Sequence, residues 1–302
     1  MKIIYGCGVM LWLGLLLAGC GAGDPSDAQA APTGAESLVD IDTSAPVGEP
    51  MQVSYFVANP PQGTQYTLVW SDEFSTFNTA KWMMRDLAQS TGYCALNPAM
   101  VTIQNGALSI VARKIPYLGK LYSCGRIETR ERISFSSGYF EVRAKMSSGS
   151  GMHTSIWMWP ANDIWPPEID LVEWWQPWLQ QVWQSVHWFD ATKPQNNAYD
   201  STQISCATCV TDYHIYAVEW SPELLVWYMD GRETKRMTQH VPATAMYFIM
   251  DSIAEAFVPA DASTDASSGL LVDYVRIYRK DTIGPRDCMV ASIQPPAGRS
   301  PL

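Results

Sequence analysis

The sequence predicts an all-β protein, an antiparallel sandwich, and three observations carry that prediction. Short β-rich runs recur between turn signals. The run Tyr139 to Met146 alternates with a period of two, as a strand with one buried face does. No long stretch keeps the 3.6-residue period of an amphipathic helix.

The elements follow in order. Val101-Thr102-Ile103-Gln104 and Ala107 to Arg113 flank Asn105-Gly106, a pair that accepts the positive φ of a two-residue hairpin turn. In the next strand Phe140, Val142, Ala144 and Met146 share one face, and Glu141, Arg143 and Lys145 share the other. Trp165 to Trp175 is strand-like and crowded with acids. Ser185-Val186-His187-Trp188 reads as its neighbour. Tyr213 to Trp220, Leu224 to Met229 closed by Asp230-Gly231, and Leu270 to Tyr278 complete the set. Many short strands joined by turns pack as two sheets.

Composition narrows the partners. The chain has 302 residues, 47% hydrophobic and 17% charged, enough apolar content for a packed core. Twenty bases against 30 acids give a net charge of −10, and no Lys or Arg lies between Lys2 and Lys81. Such a surface repels phosphate backbones, which argues against nucleic acid as a partner. Trp outnumbers Phe, 13 to 8. The surplus points to exposed stacking surfaces, for which the apolar C–H faces of sugar rings are one target.

The N-terminus reads as an address. Lys2 precedes an apolar run from Val9 to Leu17, too short for a permanent span. Leu17-Ala18-Gly19-Cys20 resembles a bacterial lipoprotein cleavage site, which implies residues 1–19 as the signal and Cys20 as the lipidated N-terminus. A lipid anchors without spanning, so the resemblance implies an exported protein tethered to a bacterial membrane, at the outer membrane, periplasm or cell surface. Residues 20–55 are small, acidic and free of bases, the composition of a disordered tether. Residues 56–280 form the predicted folded domain, and 281–302 a disordered tail. Cys94, Cys124, Cys206, Cys209 and Cys288 remain after export, an odd number. Cys206-Ala207-Thr208-Cys209 reads as a local disulfide; zinc is the other reading, but no second ligand pair stands at suitable spacing.

The chemistry concentrates in Glu168-Ile169-Asp170-Leu171-Val172-Glu173. Glu168 and Asp170 share a strand face by alternation, whereas Glu173 would point the other way. One extra residue, a β-bulge at Leu171-Val172, returns Glu173 to the face of the other two. Crowded carboxylates push one another's pKa apart, which supplies the neutral acid and the ionised nucleophile of glycosidic bond cleavage. Three acids on one face could set Glu168 and Glu173 about 5–5.5 Å apart, the spacing of retaining enzymes. A solvated polar face and a Ca²⁺ cluster are the competing readings.

The hexapeptide resembles the active-site signature of glycoside hydrolase family 16 in its bulged form. Five further landmarks occur in order: Trp70-Ser71-Asp72-Glu73-Phe74, Ser137 to Lys145, Ala217-Val218-Glu219-Trp220, Trp227 to Gly231 and Val272 to Tyr278. The resemblance implies a β-jelly roll of two curved antiparallel sheets with an open cleft. It implies Glu168 as nucleophile, Asp170 as its assistant and Glu173 as acid/base. Trp157, Trp159 and Trp165 would stack on sugar, although alternation alone leaves Trp157 and Trp159 open between cleft and core. Arg126 falls where relatives reach the sugar. His187 would hydrogen-bond Glu173 or substrate, or serve the fold alone.

The resemblance also implies a Cys94–Cys124 disulfide. It further implies a structural Ca²⁺ held by Glu73, the Gly106 carbonyl and Asp273. Asp273 shares an alternation face with Leu271, Val275 and Ile277, so it is expected on the core side. No cofactor is implied for catalysis. The expected activity is a retaining endo-β-glucanase favouring β-1,3-glucan, acting as a monomer; the alternatives are a family 16 transglycosylase, a hydrolase of mixed-linkage glucan, agar or carrageenan, and a non-catalytic carbohydrate-binding lipoprotein. Pro166-Pro167 stands where the family more usually has Gly or Asp before the nucleophile, and Asp251 and Ile253 stand where lichenase-type relatives carry Asn and Trp. The acidic surface argues against heavily sulfated substrates.

Overall fold

The computed structural model describes residues 60, 66–88, 93–176, 178, 180–254, 260–265 and 268–281. All lie in the second of the two units into which the chain divides, Ala58–Leu302. The expected signal, tether, Cys20, Cys288 and the tail beyond Asp281 lie outside the described residues.

The chain opens with β1 (Tyr66–Asp72) and the short β2 (Met83–Met84), β3 (Leu87–Ala88) and β4 (Cys94–Leu96). The hairpin is β5 (Val101–Gln104) and β6 (Ala107–Ile110), with Asn105 at φ 52° and Gly106 at φ 74° in its turn. The run expected to continue to Arg113 divides at Val111, beyond which β7 (Ala112–Arg113) belongs to the other sheet. Next come β8 (Tyr122–Glu128), β9 (Gly138–Lys145), β10 (Met152–Pro160), β11 (Glu168–Trp175), β12 (Gln181–Phe189) and β13 (Asn197–Ser205). The chain closes with β14 (His214–Ser221), β15 (Leu224–Met229), β16 (Arg232–Met237), β17 (Met246–Ala254) and β18 (Leu270–Lys280).

Two sheets result. One runs β16-β15-β14-β9-β18-β6-β5, with β1 also on β18; the other runs β13-β12-β11-β10-β17-β8-β4-β3, with β2 and β7 on β8. Pairing is antiparallel throughout, except for β4 with β8. The sandwich predicted from alternation is therefore present. Phe140, Val142 and Ala144 of β9 and Val218 and Trp220 of β14 face Ile169, Leu171, Val172 and Trp174 of β11, all buried. Burying such side chains contributes roughly 1.5–3 kcal/mol each, so the catalytic-strand candidate is fixed from beneath by core packing.

Cys94 and Cys124 form a disulfide, Cα atoms 5.8 Å apart, that ties β4 to β8. Cys206 and Cys209 form the local one. Gly125 follows Cys124 because a Cβ there would meet Ile110 Cγ2 at 2.6 Å and the Met100 carbonyl at 2.9 Å.

One face assignment changes. The β18–β9 register shifts between Val272 and Tyr274, so Val272, Val275 and Ile277 are buried and Asp273 turns outward. A bulge shifts parity by one, and alternation counted through it places Asp273 on the wrong side. Asp273 bonds Arg143 at 2.5 Å, and Glu73 receives two hydrogen bonds from Arg276, at 3.0 and 2.9 Å. Each carboxylate thus has a guanidinium as its counter-charge.

Candidate active site

The bulge expected in β11 is present. On β10, Ile156 pairs with Val172 and Trp157 with Asp170; on β12, Asp170 pairs with Ser185 and Glu173 with Trp183. Leu171 and Val172 both pack inward, fully buried, and the next residue returns outward. Glu168, Asp170 and Glu173 therefore stand on the outer face of the ten-stranded sheet.

The bulge interrupts the ladder beside Asp170, and the opposite sheet repairs it. The buried Trp227 indole N–H of β15 donates to the Asp170 carbonyl at 2.8 Å. Lys235 Nζ of β16 lies 5.1 Å from the Trp227 ring centroid and donates to the Asp200 carbonyl at 2.6 Å and to its carboxylate at 2.9 Å. A buried ammonium thus sits on the core side of the acid-bearing strand.

The three acids differ in surroundings. Burial pushes the Asp170 carboxyl well above the usual carboxylate range, and the charges of Glu173 and Glu168 add to it. Burial also raises Glu168, opposed by His187 and by hydrogen bonds from Trp165 and Asp170. The hydrogen bond between the two carboxyls raises Asp170 and lowers Glu168, whose Oε2 also accepts the Trp165 indole N–H at 2.6 Å. Glu173 meets His153 Nε2 at 3.3 Å and accepts the Ser185 hydroxyl at 3.4 Å. Chemically this is a hydrogen-bonded pair of buried carboxyls, one placed to follow the charge of the other, and a third carboxyl a few residues away in a separate polar setting.

The aromatic residues take sides. Trp82, Trp174, Trp220 and Trp227 are core. Trp157 and Trp159 lie on the outer face, half-buried, with Met158 between them in the core. Trp159 stacks on Trp165 at 6.3 Å and 13°. Trp175 lies flat against His153, ring centroids 4.6 Å apart, and Trp183 meets Trp175 edge-on. Parity i, i+2 on β10 and β11 explains why these rings join the carboxylates.

His187 sits opposite Glu168, with Nε2 3.6 Å from Asp170 Oδ2, and stacks on Tyr199. It does not meet Glu173, which corrects that part of the expectation: on the far side of the bulge, the register brings Trp183 rather than His187 opposite Glu173. Arg126 grips the buried Asp251 through Nε and NH2, both at 2.8 Å, and spreads over Trp157. Asp251 in turn accepts the Ser155 hydroxyl.

Sequence reasoning missed His153, Ser185, Trp227 and Lys235. Counting back four residues from Trp157 would have found His153, and two from His187 would have found Ser185. Trp227 and Lys235 arrive from the other sheet, and no local pattern reports them.

The chain matches Glycosyl hydrolases family 16 over residues 88–276. A beta-glucanase of Rhodothermus marinus is 31% identical over 257 residues, spanning 71% of this chain and 85% of that protein. The endo-1,3-1,4-beta-glycanase EglC of Rhizobium meliloti is 30% identical, and the match spans 71% of this chain but 45% of that longer protein. Among solved structures, the laminarinase of Rhodothermus marinus aligns with a TM-score of 0.66 at 26% identity, over 72% of this chain and 99% of that one.

Proposed function

Since the chain belongs to glycosyl hydrolases family 16, we propose that it is a retaining endo-β-glucanase with β-1,3-glucan as its favoured substrate. The observation that carries this reading is the bulged β11, which sets Glu168, Asp170 and Glu173 on one outer face among half-buried Trp side chains. In this mechanism ionised Glu168 attacks the anomeric carbon while Glu173 protonates the leaving oxygen. Asp170 gives up its hydrogen bond as Glu168 becomes an ester, so the negative charge removed from Glu168 no longer needs that proton nearby. Water, deprotonated by Glu173, then releases the sugar with its configuration retained. Trp157, Trp159 and Trp165 seat the sugar rings, and Arg126 holds Trp157 and Asp251 in place beneath them. The relatives' substrates support a glucan: the Rhodothermus protein is a beta-glucanase, and a Niallia circulans relative is a glucan endo-1,3-beta-glucosidase. Lipidation of Cys20 would place the enzyme at a bacterial membrane, tethered by residues 20–55.

The test is Glu168→Gln assayed on laminarin, lichenan, agarose, keratan sulfate and mucin glycans. Laminarin cut by the parent to short oligosaccharides of retained anomeric configuration, and left intact by a folded Glu168→Gln protein, is the expected result. Cleavage of another polysaccharide changes the substrate, inverted products overturn the retaining mechanism, and an active Glu168→Gln protein overturns the nucleophile.

A further inference from the structure

We propose that the loop between β13 and β14 is a metal site in its dithiol form, with Cys206, Cys209 and His214 as ligands to a thiophilic divalent ion such as Zn²⁺. This site is separate from the carboxylate cluster and does not depend on the proposed activity. The sulfur atoms of Cys206 and Cys209 and a ring nitrogen of His214 all lie within 4.8 Å of one another. Tetrahedral zinc takes this donor set, with sulfur at about 2.3 Å and nitrogen at about 2.0–2.1 Å. The C-x-x-C spacing lacked a further ligand in the sequence; the fold supplies it by bringing the first residue of β14 against the loop.

The site is built independently of the S–S bond. Cys206 N donates to the Gln180 carbonyl at 2.8 Å, and the Cys209 carbonyl accepts from Met146 N at 2.8 Å. Both cysteines are thus held by neighbouring backbone, and both are buried. His214 is oriented as a ligand. Its Nδ1 meets Asp230 Oδ2 at 2.7 Å, and Asp230 is itself fixed by Ile215 N at 2.9 Å. A carboxylate on one ring nitrogen sets the tautomer and leaves the other nitrogen free to ligate. That other nitrogen, Nε2, faces the loop and meets the Thr208 hydroxyl at 2.9 Å, the contact a metal would replace. Tyr216 OH lies 3.1 Å from Cys209 Sγ, placed to hydrogen-bond a thiolate.

The chemistry balances. A dithiol reductant delivers two electrons and two protons to the Cys206–Cys209 disulfide and is itself oxidised to a disulfide. The metal ion then displaces the two thiol protons to solvent, and His214 binds as the neutral ring. A disulfide oxidant takes two electrons from the thiolates and two protons from solvent to become a dithiol, which re-forms the Cys206–Cys209 bond and expels the ion, so metal and disulfide are alternative staples for one loop.

The experiment titrates the full chain, reduced with a dithiol that is then removed, with Co²⁺ as the optical probe and Zn²⁺ as competitor. The Cys206→Ser/Cys209→Ser protein, which keeps every other cysteine, is the reference. The expected result is one extra equivalent of Co²⁺ with thiolate charge-transfer absorption, displaced by Zn²⁺ and absent from the oxidised chain. Asp230→Asn should weaken binding about 10–100-fold. No extra equivalent over the reference, in protein whose Trp fluorescence shows a retained fold, overturns the site. Binding unchanged in His214→Ala overturns the ligand set.

Discussion

Trp227→Phe tests whether the bulge that gathers the carboxylates depends on the opposite sheet. The indole N–H satisfies the Asp170 carbonyl at 2.8 Å in a fully buried setting. Phe removes the donor and leaves that carbonyl orphaned, at a cost of about 1–3 kcal/mol. The smaller ring leaves a void of roughly 40 Å³, which at about 24 cal/mol per Å³ adds about 1 kcal/mol. Together the expected loss is about 2–4 kcal/mol, read as a lower urea midpoint with an unchanged m-value. The carbonyl belongs to the residue between the two proposed catalytic glutamates, so the strand should also drift. A displacement near 1 Å costs on the order of 100-fold in rate, and kcat should fall about 10–100-fold at temperatures where the protein is folded. Trp220→Phe is the control: its N–H bonds the Pro242 carbonyl at 3.0 Å, and the ring is equally buried. That variant should lose comparable stability and keep kcat. A Trp227→Phe protein within about 0.5 kcal/mol of the parent would refute the orphaned-carbonyl argument. One that loses stability with kcat intact would refute the link to the site.

Burial pushes the Glu141 carboxyl up from 4.5 to about 7, against a hydrogen bond from Tyr274 and the charge of Arg276. An acid raised in the folded state holds more protons there than when unfolded, so stability should fall as pH rises between 4.5 and about 7. Glu141→Gln should flatten that slope and gain up to about 3 kcal/mol above the window, and none below it, in urea melts across pH 4–8. His153→Phe keeps the flat contact with Trp175 and removes one partner of Glu173, leaving Ser185; at 3.3 Å the lost bond is worth about 1 kcal/mol, so kcat should fall roughly fivefold with stability nearly unchanged. Replacing Cys94 and Cys124 by Ser opens a loop 30 residues long, and the denaturation midpoint should drop by the equivalent of about 3–4 kcal/mol.

The residues themselves determined the hairpin turn, the bulge and the strands that alternation or turn signals mark, but not β8, β13, β16 or β17, which carry no such signal. Alternation and turn preference are properties of adjacent residues, and Glu168, Asp170 and Glu173 can share a face only if one residue is inserted between Asp170 and Glu173. The same logic placed Trp157 and Trp159 on one face without saying which face was core. Parity counted in ignorance of a second bulge misplaced Asp273, because no set of side chains around it demands a shared face as the three carboxylates of β11 do. Only the tertiary structure decided that His153 rather than His187 meets Glu173, since the answer lies in the register of three strands. It also decided that Trp227 caps Asp170, and that His214 closes on Cys206 and Cys209. Those contacts join residues far apart in sequence, and the energy that selects them comes from packing two sheets together, which no local pattern encodes.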